Sequence, residues 1–466
     1  MLKALQIKNF KGWKDTGEIR MAPLTLFFGA NSSGKSSIGQ FLMMLKQTVE
    51  SSDRKAVFNP GGRNSAVQLG SFQELVYQRN LANNISFKYE WDMPKGVTIR
   101  DDKFPKELWS QNLRFEAEVG LTELGQQAPE LKKFQYSLPF SDANTSFGIE
   151  RETAQKYKVI TQDYTLVRNL GRAWAIGAPS KFYIFPEEVI AYHQNAKFVQ
   201  DLSLSNEMLF SSLFYLGPLR TKPERSYSWA GTAPDSVGHD GENTISAFLA
   251  AQNRRMSLGY RKLTRPFEEI IALKLLEMKL IDDFKVNRLT DYRNEYEVKV
   301  QSRGSKYKVD LPDVGFGVSQ VLPVLTQLFY APPNSIIIME QPEMHLHPSA
   351  QSALADVMID VINSKENGVD RNIQLIIETH SEYFLRRLQR RIAEDVVSQE
   401  KIAAYFADNS KTPALLEPLQ IDLYGNISNW PKDFFGDEMG DITEQAKAGL
   451  RKRREMTRSA IRDATE

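Results

Sequence analysis

The chain has 466 residues, enough for about three domains at roughly 150 residues each. Lys and Arg number 59 against 58 Asp and Glu, a net charge of +1, so any grip on nucleic acid has to come from a local patch. Cysteine is absent, which excludes disulfides, thiolate nucleophiles and Cys-ligated metal centres, and no apolar run approaches the roughly 20 residues that cross a bilayer.

The opening residues MLKALQIKNFKGWK are too charged for the apolar core of a secretion signal, so the sequence reads as a soluble, cytoplasmic protein with no membrane partner. Leu2–Ile7 alternates as a strand does, and Leu24–Phe28 is a compact apolar run suited to a buried strand. That run ends in Gly29-Ala30-Asn31-Ser32-Ser33-Gly34-Lys35-Ser36-Ser37, followed by Ile38, Phe41, Leu42 and Leu45 at helical spacing. The segment matches G-x-x-x-x-G-K-[ST] in full, in the strand–loop–helix order that a phosphate cradle needs. Glycines let the backbone wrap phosphate oxygens at a helix N-terminus, Lys35 supplies a point charge, and the Ser36 hydroxyl suits Mg²⁺.

From about Asn84 to Arg168 the segments Ile85–Trp91, Leu113–Val119, Phe134–Leu138 and Tyr164–Val167 read as antiparallel strands. Helical patterns occupy Pro186 to Leu213, and an apolar run, Leu213–Arg220, follows them. Thr221–Asn243 is long for an inert connection. The loop Gly217–Asn243 carries Arg220, Lys222, Arg225, Tyr227 and Trp229, and is either a single-strand nucleic-acid contact or a loop packed on the main body. Helical patterns return from Thr244 to about Asp283, with Phe267, Ile270, Ile271 and Leu275 on one face, and Tyr296–Val300 and Tyr307–Leu311 form a hairpin-like pair.

The last third alternates helix and strand: Val318–Phe329, the strand Ser335–Met339, Ser349–Asn363, the strand Ile373–Ile377, then Ser381–Ala393. Such alternation implies a parallel sheet. The first strand ends in Glu340, placed at a sheet rim to hold Mg²⁺ or its water shell, or else a solvated strand end. His345 and His347 are either zinc ligands or a packed corner. The second strand ends in Glu378-Thr379-His380, where His380 is placed to meet a γ-phosphate or an attacking water. Upstream, Gly315-Phe316-Gly317-Val318-Ser319-Gln320 opens a helix and makes a second anion-binding terminus. The tail Ala446–Arg462 carries Lys447, Arg451, Lys452, Arg453, Arg454, Arg458 and Arg462, a basic helix that touches DNA or an acidic partner, or a solvated surface helix.

GANSSGKSS, GFGVSQ, IIIMEQPEMHLHP and LIIETHS, in that order and with the opening IKNFKGWK, resemble the ABC-class ATPase heads of the SMC/Rad50 and OLD type. The resemblance covers about residues 1–75 and 305–395. YLGPLRTKPERSYSWAGTAPDSVGHDGEN resembles a bacterial subgroup with members in anti-phage defence operons, of the PARIS or Septu type. The resemblance implies an α/β fold, an ABC-type P-loop head with a mixed sheet and an antiparallel β lobe, split by a large mixed insertion. Its parts are 1–80 with the phosphate loop, 81–300 as the insertion, 301–425 as the second half of the head, and 426–466 as a basic helical tail.

The resemblance further implies ATP and Mg²⁺ as cofactors and a head-to-tail dimer. In it the loop residues Gly29, Asn31, Ser32, Ser33, Gly34, Lys35, Ser36 and Ser37 of one copy face Gly317, Ser319 and Gln320 of the other. Ser36 and Glu340 match the metal positions, Gln341 the base position and His380 the switch histidine. The metal-sensing glutamine falls near Leu69–Glu74, with Gln73 and Gln68 as candidates. Gln341 is a departure, because an amide accepts no proton from water at neutral pH. Either Glu343 takes the role, or hydrolysis is slow and the ATP-bound dimer is long-lived.

After His380 the sequence shows no D-x-D of a two-metal nuclease, so a nuclease activity would belong to a separate effector polypeptide. Two readings follow. One is an ATP-hydrolysing switch for such an effector; the other is a repair or chromosome ATPase that clamps DNA directly. The lack of a long heptad arm weighs against the second.

Overall fold

The computed structural model describes residues 1–99, 108–121, 128–139, 144–153, 156–171, 175–259, 262–290, 292–431, 434 and 443–454. Its centre is a six-stranded sheet in the order Leu213–Leu216, Ile336–Glu340, Gln374–Glu378, Leu24–Gly29, Ile402–Asp408 and Leu415–Pro418. The first five strands run parallel and the last is antiparallel. The strands LTLFFG, IIIME and QLIIE are buried along their whole length, as a sheet covered on both faces requires.

Alternation sorts these residues between two apolar cores. Ile336 and Ile338 face one, shared with Phe41 and Leu42 of the helix Lys35–Glu50 and with the β lobe. Ile337 and Met339 face the other, shared with Leu325, Leu354 and Leu388 from the helices Phe316–Tyr330, Pro348–Ile362 and Glu382–Ala393. Helices therefore cover the sheet on opposite faces.

The lobe is an antiparallel sheet in the order Trp13–Asp15, Leu2–Phe10, Ile85–Ile99, Leu108–Gly120, Glu130–Pro139, Asn144–Thr153 and Lys156–Gln162, with Ile19–Arg20 pairing on Leu2–Phe10. Its inner face is aromatic: Phe87, Tyr89, Phe115, Phe134 and Tyr136 are buried, and Phe182 packs on Phe87 and Phe115. Beneath it lies the helix Phe198–Ser211. Its fully buried Asn206 accepts from the Tyr89 hydroxyl and donates to that of Tyr136, tying helix to sheet. The phosphate-loop helix is tied to the same lobe, because the Lys181 ammonium donates to the carbonyls of Val49 and Ser51 at its end.

The α/β head with its antiparallel lobe is the architecture expected, and the predicted elements of the last third appear within a residue or two of their expected bounds. Two stretches differ. Tyr164–Val167 is not a strand: the buried Tyr164 ring packs on Phe147 and Phe198, and the Asn195 side chain takes up the Val167 N–H and the Thr165 carbonyl in place of a ladder. The helical stretch from Thr244 to Asp283 is interrupted by a hairpin, Arg255–Ser257 with Thr264–Pro266, and strand replaces helix from Ile281. Phe267, Ile270, Ile271 and Leu275 nonetheless share the buried face of the helix Phe267–Glu277. Leu213–Leu216 is an edge strand of the central sheet, paired in parallel with the acidic strand.

Helix 443–454 is exposed along its length, with Lys447, Arg451, Lys452, Arg453 and Arg454 on it; Arg458 and Arg462 lie outside the described residues. Among the described residues no helix is long and apolar enough to cross a membrane.

Candidate active site

The parallel order brings the ends of three strands side by side. The histidine strand Gln374–Glu378 lies between the loop strand and the acidic strand, with Glu378 in register with Glu340 on one side and Phe27 on the other. At such a carboxyl edge loops converge on a crevice.

The phosphate loop turns through positive φ at Gly29 (141°), Ser32 (60°) and Gly34 (92°). A Cβ at Gly29 would lie 2.5 Å from the Ala407 carbonyl oxygen, and one at Gly34 would meet the Trp13 ring at 3.1 Å. Both glycines are therefore dictated by close approach as well as by φ. Asn31 and Ser32 are exposed and Ser33 and Lys35 buried. The Lys35 ammonium donates to the carbonyls of Gly29 (3.1 Å) and Ala30 (2.7 Å) and to the Ser33 hydroxyl (3.4 Å), and lies 3.8 Å from Glu378. Burial pulls its pKa down against the opposing pull of Glu378.

Burial pushes the Glu378 carboxyl up in pKa, against the opposing pull of the Ser36 hydroxyl and Lys35. Ser37 accepts from the Trp13 indole N–H at 2.9 Å, and that N–H also reaches the Gly34 carbonyl at 3.0 Å. The fully buried Trp13 thus pins the loop at its tightest turn.

Glu340 is buried and accepts from the Tyr215 hydroxyl at 2.8 Å. Burial first, and the neighbouring Glu378 second, push its carboxyl up to about 7, against the pull of Tyr215 and Lys11. Gln341 follows at φ 45°, in the left-handed region, and donates its N–H to the Glu378 carbonyl at 2.8 Å. Glu343 is buried: its Oε1 accepts the His380 N–H at 2.8 Å, while its Oε2 has no partner among the described residues. Burial raises its pKa too. His380 is half-buried, and burial together with Lys35 lowers its pKa, which favours the neutral imidazole. Lys35, Ser36, Glu340, Gln341, Glu343 and His380 thus share one edge of the sheet.

Gly317, Ser319 and Gln320 lie in the first turns of the helix Phe316–Tyr330, Gly317 half-buried and Ser319 and Gln320 buried. A Cβ at Gly317 would lie 3.3 Å from the His345 carbonyl oxygen, Ser319 donates to the Phe316 carbonyl, and the Phe316 ring is 66% exposed. His347 accepts from the Ser349 N–H as the cap of the next helix, and among the described residues no group of three or more His, Cys, Asp or Glu side chains gathers as a metal centre. Gln73 is exposed on the short helix Phe72–Leu75, and Gln68 is exposed and donates to the Arg63 carbonyl. Arg225 pairs with Asp310 and Asp313, and the Trp229 ring packs on Tyr296, so this part of the long loop is packed on the chain itself.

Ser36, Glu340 and Glu378 form an all-oxygen set, hard donors that suit Mg²⁺, and the Glu378 Oε2 is a buried oxygen without a described partner that a bound cation would satisfy. Several site residues escaped the sequence reading. Glu378 ends its strand as Glu340 ends its own, a signal that was legible. Tyr215, Arg220, Lys11 and Trp13 reach the site only through the tertiary fold, Lys11 by the charge of its ammonium, which donates to Gln40 and is felt by Glu340.

Comparison with known proteins adds three family matches. A model described as an AAA ATPase domain matches residues 1–164, and one described as an AAA domain, putative AbiEii toxin, type IV TA system, matches residues 215–386. A third, a protein family of unknown function, matches residues 397–445. No curated protein matches the chain.

Similar solved structures include an SMC head bound to the C-winged helix domain of ScpA, 9% identical over 90% of this chain and 98% of that one, TM-score 0.42. The SMC head domain from Thermotoga maritima is 10% identical over 90% and 99%, TM-score 0.39. The Smc head domain with an extended coiled coil bound to the C-terminal domain of ScpA, derived from Pyrococcus furiosus, is 10% identical over 90% and 96%, TM-score 0.38. The phosphate loop falls within one ATPase-domain match, and the acidic and histidine strands fall within the other.

Proposed function

We propose that this chain, an ATPase of AAA type, is an ATP-hydrolysing switch of the ABC class, SMC/Rad50/OLD type. It assembles head to tail on ATP and Mg²⁺ in the cytoplasm and governs a separate effector, a nuclease, in prokaryotic anti-phage defence. The observation that carries the reading is the meeting of Lys35, Ser36, Glu378 and Glu340 at one sheet edge. The toxin–antitoxin description of the family matching residues 215–386 supports the defence setting.

In this reading Lys35 gives up its loop carbonyls for the β- and γ-phosphates, and the loop N–H groups surround the phosphate oxygens. Ser36, Glu340 and Glu378 would hold Mg²⁺, which when bound neutralises charge on the transferred phosphoryl group. Neutral His380 offers a hydrogen bond at the γ-phosphate. Gln341 orients water without taking its proton, and Glu343 is the available base. Gly317, Ser319 and Gln320 of a second copy complete the phosphate shell, so that charge is neutralised from both sides and ATP drives association. Gln73 remains the candidate metal sensor.

Gel filtration of the chain with and without Mg·ATP, then with duplex DNA, tests this. An ATP-dependent shift to a dimer or larger assembly without DNA is expected; no shift with ATP removes the head-to-tail reading. The exposed basic helix 443–454 favours the second reading, a repair or chromosome ATPase that clamps DNA, and assembly only with DNA would select it. Against it, the longest helix among the described residues is the 16-residue Lys35–Glu50, so no coiled-coil arm stands there.

Metal binding is expected to depend on pH. Glu340, pushed up to about 7, must lose its proton to serve Mg²⁺. The Mg²⁺ affinity of the nucleotide-bound chain should therefore rise about ten-fold between pH 6 and pH 8 and level off above. An affinity that does not change over this range places Glu340 outside the metal shell. The same raised value makes Glu340 favour the metal-free fold at low pH, a contribution lost as pH rises through 7.

A further inference from the structure

The segment Leu213–Arg220 touches the acidic turn at more than one point, and the phosphate loop needs none of these contacts. Its strand pairs in parallel with Ile336–Glu340, Tyr215 opposite Ile338, which brings the Tyr215 hydroxyl to 2.8 Å from Glu340 Oε1. Beyond Leu216 the chain leaves the sheet, with the Gly217 N–H donating to the His239 carbonyl. It then carries Arg220 beneath the turn that follows the acidic strand.

Arg220 is 8% exposed, and its Nη2 lies 3.4 Å from the carbonyl oxygens of both Glu340 and Gln341. Its Nε and Nη1 are buried without a hydrogen-bond partner among the described residues. The charge that it feels is that of Glu343, whose Oε2 is likewise buried and unpartnered. A guanidinium is rarely buried without a compensating charge, because desolvating it is costly. Here the compensation is the turn itself: two carbonyls and one carboxylate. That turn needs support, since Gln341 holds a left-handed φ of 45° that a non-glycine residue adopts only when its surroundings impose it.

We infer that Tyr215 and Arg220 are positioning residues of the hydrolytic site, Tyr215 fixing one oxygen of Glu340 so that the other serves the metal, and Arg220 holding the turn from Glu340 to Glu343 in its working geometry. The inference rests on the ATPase reading and adds to it two residues that touch neither nucleotide nor metal. Outer partners of this kind commonly change metal affinity or turnover by ten- to a hundred-fold when removed.

Tyr215→Phe and Arg220→Lys test it, each variant first shown to melt cooperatively like the wild type. A fluorescent ATP analogue is titrated in EDTA and across a Mg²⁺ series, and steady-state turnover is measured in parallel. Tyr215→Phe is expected to bind the analogue as wild type in EDTA while needing about ten-fold more Mg²⁺ for its metal-dependent tightening. Arg220→Lys is expected to keep its KM for ATP and lose about ten-fold in kcat. Should Arg220→Lys not fold, Tyr215→Phe alone decides.

Folded variants with wild-type Mg²⁺ dependence and kcat overturn the inference and leave the ATPase reading standing. A wild-type chain that neither binds nor hydrolyses ATP overturns both.

Discussion

Lys35→Ala is expected to end ATP-driven assembly and to lower turnover by at least a hundred-fold. The Lys35 side chain shows only 2% of its surface, and the partners of its ammonium are loop carbonyls, a serine hydroxyl and the Glu378 carboxylate. Charge-assisted hydrogen bonds of this kind contribute about 1.5–3 kcal/mol each, so losing them at the phosphates weakens ATP binding by roughly ten- to a hundred-fold. The larger loss is in turnover, where a fixed positive charge beside developing phosphoryl charge is worth about 10²–10³ in rate. Fluorescent-nucleotide titration and gel filtration with Mg·ATP read the two effects separately. Lys35→Met keeps most of the buried stem and should show the same losses. An assembly that persists in both variants would mean that the loop lysine is not what grips the nucleotide.

Glu343→Gln should leave ATP binding intact and lower turnover by about 10²–10⁴, the range that a general base supplies. The substitution is informative because Glu343 does two things at once. Its Oε1 accepts the His380 N–H, an acceptor that the glutamine carbonyl reproduces, so the strand end keeps its shape. What disappears is the charge and the proton affinity, which burial already raises. Single-turnover hydrolysis with ATP in place beforehand separates chemistry from binding. Turnover at the wild-type rate would remove Glu343 from proton transfer. The amide at Gln341 would then point to an enzyme that hydrolyses slowly and stays assembled for long.

The parts of the molecule legible in the sequence are those whose pattern is local. The loop Gly29–Ser37 declares itself by residue type and spacing, and LTLFF, SIIIM and IQLII are short apolar runs that fit a sheet buried on both faces. Tyr164–Val167 misled because β-branched and aromatic residues suit a buried irregular segment as well as a strand, and the Asn195 side chain that satisfies its backbone comes from 30 residues away. The hairpin at Arg255–Pro266 was hidden by apolar helices on both sides of it.

The site divides in the same way. Lys35, Glu340 and His380 stand at ends of recognisable elements. Tyr215 and Arg220 matter because an edge strand 125 positions before Glu340 lies beside it in the sheet, a neighbourhood set by topology and invisible to spacing. Trp13 is similar: only the folded lobe brings its indole against Gly34.

The order of strands in the central sheet has a consequence for how the protein is made. Leu24–Gly29 is made long before its two sheet neighbours, Gln374–Glu378 and Ile402–Asp408. At about 5–20 residues per second, that strand waits on the order of half a minute for company. The lobe can close long before, since every strand in it lies within the first 162 residues. A nascent chain therefore carries the strands of its lobe beside an unfinished cradle, and the cradle gains its sheet neighbours only once Gln374–Glu378 and Ile402–Asp408 have been made.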